Sequence, residues 1–143
     1  MTQEEKMLLI KDLSARLPYA VTVEHISGFR GTLHDIAVHH MYDDNDNIYD
    51  AICYTDFFGD EDSIYIEYFK PYLFPLSSMT EEQKKEYCSL VWFNGLSAGW
   101  NSDDAVILNE VEMLIDFYHK NHLDWRDLIP KGLAIDATGL NIY

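Results

Sequence analysis

The chain has 143 residues, 48% of them apolar, and carries 10 basic against 25 acidic side chains for a net charge of −15 at pH 7. That length suits one domain spanning 1–143 with a core of its own, and the apolar share excludes a disordered chain. The charge opposes direct binding to nucleic-acid phosphates or anionic membranes and fits high solubility, a basic protein partner or mimicry of a polyanion.

Cys53 and Cys88 are the two cysteines. They form no CxxC pair and no framework, so reduced thiols are the default. The opening Met1-Thr2-Gln3-Glu4-Glu5-Lys6 is charged, and no apolar run has the length of a signal peptide or a membrane span. The sequence-level expectation is a cytoplasmic protein.

In chain order, residues 2–17 read as a helix. Thr2 and Glu5 offer a capping box, and Met7, Leu8, Ile10, Leu13 and Leu17 form an apolar stripe. Lys6, Lys11, Asp12 and Arg16 fill the opposite, solvated face, and Pro18 ends the helix. Residues 19–26 alternate as a half-buried strand, with Val21 and Val23 on one side and Thr22 and Glu24 on the other. Ser27-Gly28 is a turn; residues 32–40, 48–57 and 63–69 are three more strands separated by polar turns. In the last, Ile64, Ile66 and Tyr68 share a face. Four strands at this spacing predict an antiparallel meander.

A proline-marked stretch, residues 70–83, divides this sheet half from a helical half. Pro71 and Pro75 favour an extended connection that is neither helix nor central strand. Thr80 and Gln83 supply a second capping box, with Glu81 and Glu82 in the first turn of a helix over residues 81–93. Ser102 can cap a third helix over residues 103–119, residues 125–129 read as a short helical turn stopped by Pro130, and residues 133–137 as a returning strand. The fold class is α+β: an N-terminal helix, an antiparallel meander of about four strands, then two to three helices.

No catalytic set emerges. Gly95-Leu96-Ser97-Ala98-Gly99 matches the spelling of a nucleophile elbow but follows a capped helix, without the alternating β/α units that motif requires. His34, Asp35, His39 and His40 are the densest metal-type cluster, yet strand alternation sends them to opposite faces. Asp116, His119 and His122 share a helix face only if the third helix continues past its expected end. Asp43, Asn45 and Asn47 begin like an EF-hand loop, but Ile48 and Tyr54 stand where glycine and glutamate are needed. No catalytic, metal-binding or cofactor-binding residue is therefore assigned, and no cofactor is expected. The aromatic content, ten Tyr, seven Phe and three Trp, mainly fills a core, but Tyr72, Phe74 and Trp125 are the candidates for a contact surface.

Three blocks carry a resemblance: the opening Met1 to Lys6 with Lys11 to Tyr19, the central Lys70-Pro71-Tyr72-Leu73-Phe74-Pro75-Leu76-Ser77-Ser78-Met79-Thr80, and the closing run from His122 to Ile135. In wording they resemble a family of short uncharacterised proteins of gut Bacteroides-type bacteria and their mobile elements. The resemblance implies a bacterial cytoplasmic protein and offers no activity or catalytic residue to carry over. The leading functional expectation is a non-enzymatic binding or regulatory accessory protein. The alternatives are an acidic polyanion mimic that blocks a nucleic-acid-binding protein, and a small metal-dependent enzyme built on Asp116, His119 and His122, or on His34 and His40.

Overall fold

The structure, a computed structural model, describes residues 1–36, 41–42, 48–49, 51–56, 61–95 and 104–143. It is an α+β fold. Helix α1 (Gln3–Arg16) starts at Thr2 with both halves of the capping box: the Glu5 amide donates to Thr2 Oγ1 at 3.2 Å and the Thr2 amide to Glu5 Oε2 at 2.6 Å. The α-helix ends just before Pro18, as expected, and a 3-10 turn, Leu17–Tyr19, follows with that proline in its first turn.

Strands β1 (Thr22–His25) and β2 (Arg30–Asp35) form a hairpin. The His25 amide donates to Phe29 O and the Gly28 amide to His25 O, both at 2.8 Å, with Gly28 at φ +88°. Only glycine takes that backbone without strain, and the two backbone bonds close the loop tightly. Strands β3 (Met41–Tyr42) and β4 (Ile48–Tyr49) pair with each other in a small separate sheet. Strands β5 (Ala51–Asp56), β6 (Glu61–Tyr65), β7 (Phe69–Leu73) and β8 (Ile135–Asp136) join the principal sheet, whose order is β6-β5-β2-β1-β7-β8. The expected antiparallel run of four is present as β1, β2, β5 and β6. The sheet as a whole is mixed, because β7 pairs antiparallel with β1 and parallel with β8.

Two expectations are corrected here. The stretch read as a connection is an interior strand, β7, with neighbours on both sides. Proline is tolerated there for a geometric reason. The Ile26 amide donates to Tyr68 O, so alternation makes Val23–Pro71 a pair without ladder bonds, and the missing N–H of Pro71 points away from β1. On that other side β8 meets only Tyr72 and Leu73. The strand expected over 63–69 is broken by a 3-10 turn, Ile66–Tyr68, which buries Ile66 and exposes Tyr68 instead of leaving both on one face.

Alternation then fixes the faces. Val21, Val23, Leu33, Phe69 and Leu73 are buried on the face that packs with Leu9 and Leu13 of α1 and with Leu128, Leu133 and Ala134 of the C-terminal segment. Helices α2 (Glu81–Gly95) and α3 (Asp104–Lys120) pack on each other through Tyr87 against Phe117 and Tyr118, each at 6.1 Å between ring centroids. The Gln83 amide group donates to Asn121 Oδ1 at 3.0 Å, and the Lys120 ammonium meets the Glu86 carboxylate at 2.6 Å. The capping box expected at Thr80 and Gln83 is formed, with bonds of 2.8 and 3.2 Å. Residues 125–129 form turns, not a helical turn, because the buried Asp124 carboxylate takes the amides of Leu128 and Ile129, each at 2.8 Å. No helix among the described residues is long and apolar enough to cross a membrane.

Candidate functional site: a buried polar latch and an exposed hairpin tip

The face of α1 that turns inward repeats at Leu9, Asp12, Leu13 and Arg16. Asp12 and Arg16 are both 0% exposed, which corrects their placement on a solvated face; Met7, expected in the stripe, is exposed. The pair is self-neutralising at i, i+4: Arg16 Nε donates to Asp12 Oδ2 at 2.6 Å and Nη2 to Oδ1 at 3.3 Å. Arg16 Nη2 also donates to Leu123 O at 2.8 Å, and Arg126 Nε lies 3.2 Å from Asp12 Oδ1. One carboxylate thus ties α1 to a loop more than 100 residues away in sequence. Burial of charge is tolerable only with such pairing.

Around this latch sit the two histidines of the C-terminal half. His119 is buried; its Nε2 accepts from Trp125 Nε1–H at 3.2 Å, which places its proton on Nδ1. Burial, reinforced by the Arg16 charge, lowers its pKa to about 4. The same causes, burial first and then Arg16, lower His122 to about 4. The His122 ring stacks on Tyr143 at 3.7 Å and 9°. The Tyr143 hydroxyl accepts from the Thr22 amide at 3.2 Å and donates to Tyr72 O at 2.7 Å. It therefore bridges the two strands where the β1–β7 ladder would otherwise gain its next direct bond. Burial raises its pKa to about 12.

The expected contact aromatics sit within this framework. Tyr72 is 1% exposed, with its hydroxyl donating to the Glu24 carboxylate and the Arg30 guanidinium 5.1 Å over its ring. That bond holds Glu24 below the usual carboxylate range, while burial raises Tyr72 to about 12. Phe74 is half-buried, and its backbone is tied to His122 O and to the Asp124 amide. Trp125 is half-buried between Tyr118, stacked at 5.8 Å, and the Arg126 guanidinium at 4.1 Å. These three side chains serve the interior and its rim.

The metal-type trio does not converge. Helix α3 ends at Lys120 and His122 takes φ +52°, so the three leave one helix face. Asp116 accepts from the Tyr19 hydroxyl, His119 from Trp125, and His122 stacks on Tyr143. No group of three potential ligands is close enough to hold a metal ion among the described residues. His34 is exposed on β2; His39, His40, the Asp43 loop and the segment 96–99 of the glycine motif lie outside the described residues.

The feature that sequence reasoning missed is the tip of the β1–β2 hairpin. Ile26 is 69% and Phe29 63% exposed, on either side of the Ser27-Gly28 turn. Beneath them His25 packs edge-on to Tyr68 at 5.9 Å and against Phe69 at 5.2 Å, which anchors the loop to the core. An open groove of about 340 Å³ runs alongside, lined by Glu24, His25, Ile26, Gly28, Lys70 and Ile135. The available signal was two large apolar residues flanking a glycine turn, where polar residues are the norm. No protein-family model, no curated protein and no solved structure matches this chain.

Proposed function

We propose that this protein is a non-enzymatic binding module, an accessory protein of a bacterial mobile element acting in the cytoplasm, that docks on a protein partner through the tip of the β1–β2 hairpin. The observation that carries the reading is the pair Ile26 and Phe29, both mostly exposed on a tight, glycine-closed loop beside a groove. Folding gives no return for that exposure, whereas a partner that buries both side chains gains roughly 1.5–3 kcal/mol from each. The charge of −15 repels a second copy and favours a partner whose apolar contact is flanked by basic groups.

Supporting the non-enzymatic reading, the most chemically loaded cluster among the described residues is closed: Asp12 and Arg16 have no exposed surface, and the histidines beside them are engaged by neighbours. The described carboxylates also disfavour a polyanion mimic. Glu24, Glu67, Glu81 and Glu86 pair with Arg30, Lys6, Lys84 and Lys120, an interleaving of charge unlike a row of phosphates.

The test is comparative capture from a bacterial lysate with wild type and an Ile26→Ser/Phe29→Ser variant. Proteins held by the wild type and reduced at least about tenfold by the variant support the reading. Equal recovery by both, with the variant folded by circular dichroism, overturns it.

A further inference from the structure

The groove beside the hairpin tip opens on the sheet face opposite the core. Glu24 and Lys70 are cross-strand partners and share that face, and Arg30, the partner of Glu24 on its other side, shares it too. Ile135 joins them, because it pairs with Tyr72, two residues beyond Lys70. Strand order sets β7 between β1 and β8, so Lys70 stands between Ile26 at the tip and the half-buried Ile135. All three line the groove. Its volume, about 340 Å³, is at the small end of ligand pockets and suits a short segment of a partner.

Arg30, Glu24 and Lys70 form a row of charges across β2, β1 and β7. The negative member is already engaged: Glu24 Oε2 accepts from Arg30 Nε at 2.8 Å and from the Tyr72 hydroxyl. Lys70 is exposed and forms no ion pair among the described residues. Asp136 on β8 does not supply one. It pairs with Leu73, so it faces the other side of the sheet, where its Oδ1 accepts from the Thr138 amide at 2.8 Å. Glu67 is taken by Lys6. The groove therefore sets an ammonium group with three donors between two aliphatic walls.

The spacing of these features is that of an extended chain. Ile26 sits opposite Tyr68, since its amide donates to Tyr68 O, and Lys70 is two residues further along β7. Such diagonal neighbours are about 7–8 Å apart. Residues i and i+2 of an extended segment point the same way and are about 6.5–7 Å apart.

We propose that the groove takes an extended segment of the protein partner, with a large aliphatic side chain against Ile26 and an Asp or Glu two residues away against Lys70. The inference rests on the reading of the hairpin tip as the docking surface and names what docks there. At long range the charge of −15 draws a basic partner; at contact Lys70 selects a carboxylate. The two preferences have opposite sign, so the local one is separable from the global one.

The probe is a random peptide library displayed on phage, selected in parallel on wild type, Ile26→Ser/Phe29→Ser and Lys70→Glu, each folded by circular dichroism. Peptides enriched on wild type and lost on the tip variant are expected to carry Asp or Glu two positions from a large aliphatic residue. On Lys70→Glu that position should turn to Lys or Arg. A synthetic peptide of the enriched sequence should bind Lys70→Gln about fivefold more weakly than wild type. Tip-dependent peptides without an acidic residue at that position, or the same peptides on wild type and Lys70→Glu, overturn the inference and leave the docking surface standing. No peptide lost on the tip variant overturns both. Should Lys70→Glu fail to fold, Lys70→Gln replaces it in the selection: loss of the acidic preference supports the inference, and its persistence refutes it.

Discussion

Replacing Arg16 by methionine isolates the energetics of the latch. The substitution removes both hydrogen bonds to Asp12 and the bond to Leu123 O. It leaves the Asp12 carboxylate, 0% exposed, with only the misdirected Arg126 Nε at 3.2 Å. Breaking a buried pair from one side costs about 3–5 kcal/mol, a large share of the roughly 5–15 kcal/mol that holds a domain of this kind together. For 143 residues that lowers the thermal midpoint by about 10 °C or more. The double variant Asp12→Leu/Arg16→Met removes the stranded charge as well. It should recover most of the loss, retaining a deficit of roughly 1–3 kcal/mol for the unpaired Leu123 carbonyl, because Arg126 is placed to turn toward solvent. Urea unfolding followed by circular dichroism, with the m-value as a check on two-state behaviour, gives both numbers. A single-variant cost below about 1 kcal/mol, or a double variant no more stable than the single one, would refute the reasoning.

Three further outcomes follow from the same geometry. Because His119 and His122 are lowered to about 4 in the folded chain against 6.5 for the free side chain, the unfolded state binds the additional protons. Their contribution is fully present above pH 6.5 and is lost as pH falls towards 4, at a slope of at most about 1.4 kcal/mol per pH unit for each ring; His119→Gln, measured by urea unfolding across that window, should flatten the slope. Tyr143→Phe deletes the hydroxyl between the Thr22 amide and Tyr72 O, so it should cost about 1–2 kcal/mol and accelerate hydrogen exchange at Thr22 while leaving Val23 protected. Gly28→Ala has open space for its Cβ but must hold φ +88°, so it should destabilise by about 1 kcal/mol from backbone strain alone, read as a shift of the urea midpoint at constant m-value.

What the sequence disclosed was what is local. Both capping boxes, Thr2 with Glu5 and Thr80 with Gln83, span three residues and form as their spelling requires. The alternation of Val21 and Val23 likewise gave the buried face of β1. Pro71 misled because the rule against proline in interior strands depends on which N–H groups the neighbours use, and the neighbour on that side is β8, more than 60 residues later. Asp12 and Arg16 misled for the same reason: their partners, Leu123 and Arg126, are invisible from within α1. Their i, i+4 spacing next to Leu9 and Leu13 was the one local sign that they bury together. The 125–129 segment carried helical composition, but the Asp124 carboxylate took the amides a helix would have used. Tyr72, named as an aromatic contact candidate, is a core residue, whereas Ile26 and Phe29, hidden in an ordinary-looking turn, are mostly exposed.

The most direct test of the central claim places a photo-crosslinking amino acid at Phe29 and, separately, at the exposed Met113 on α3, in cells that express the protein natively. A discrete crosslinked protein species at position 29 and none at position 113 is the predicted result. Crosslinks at position 113 alone, or none at either position in cells that contain the folded protein, would contradict the assignment of the hairpin tip as the docking surface.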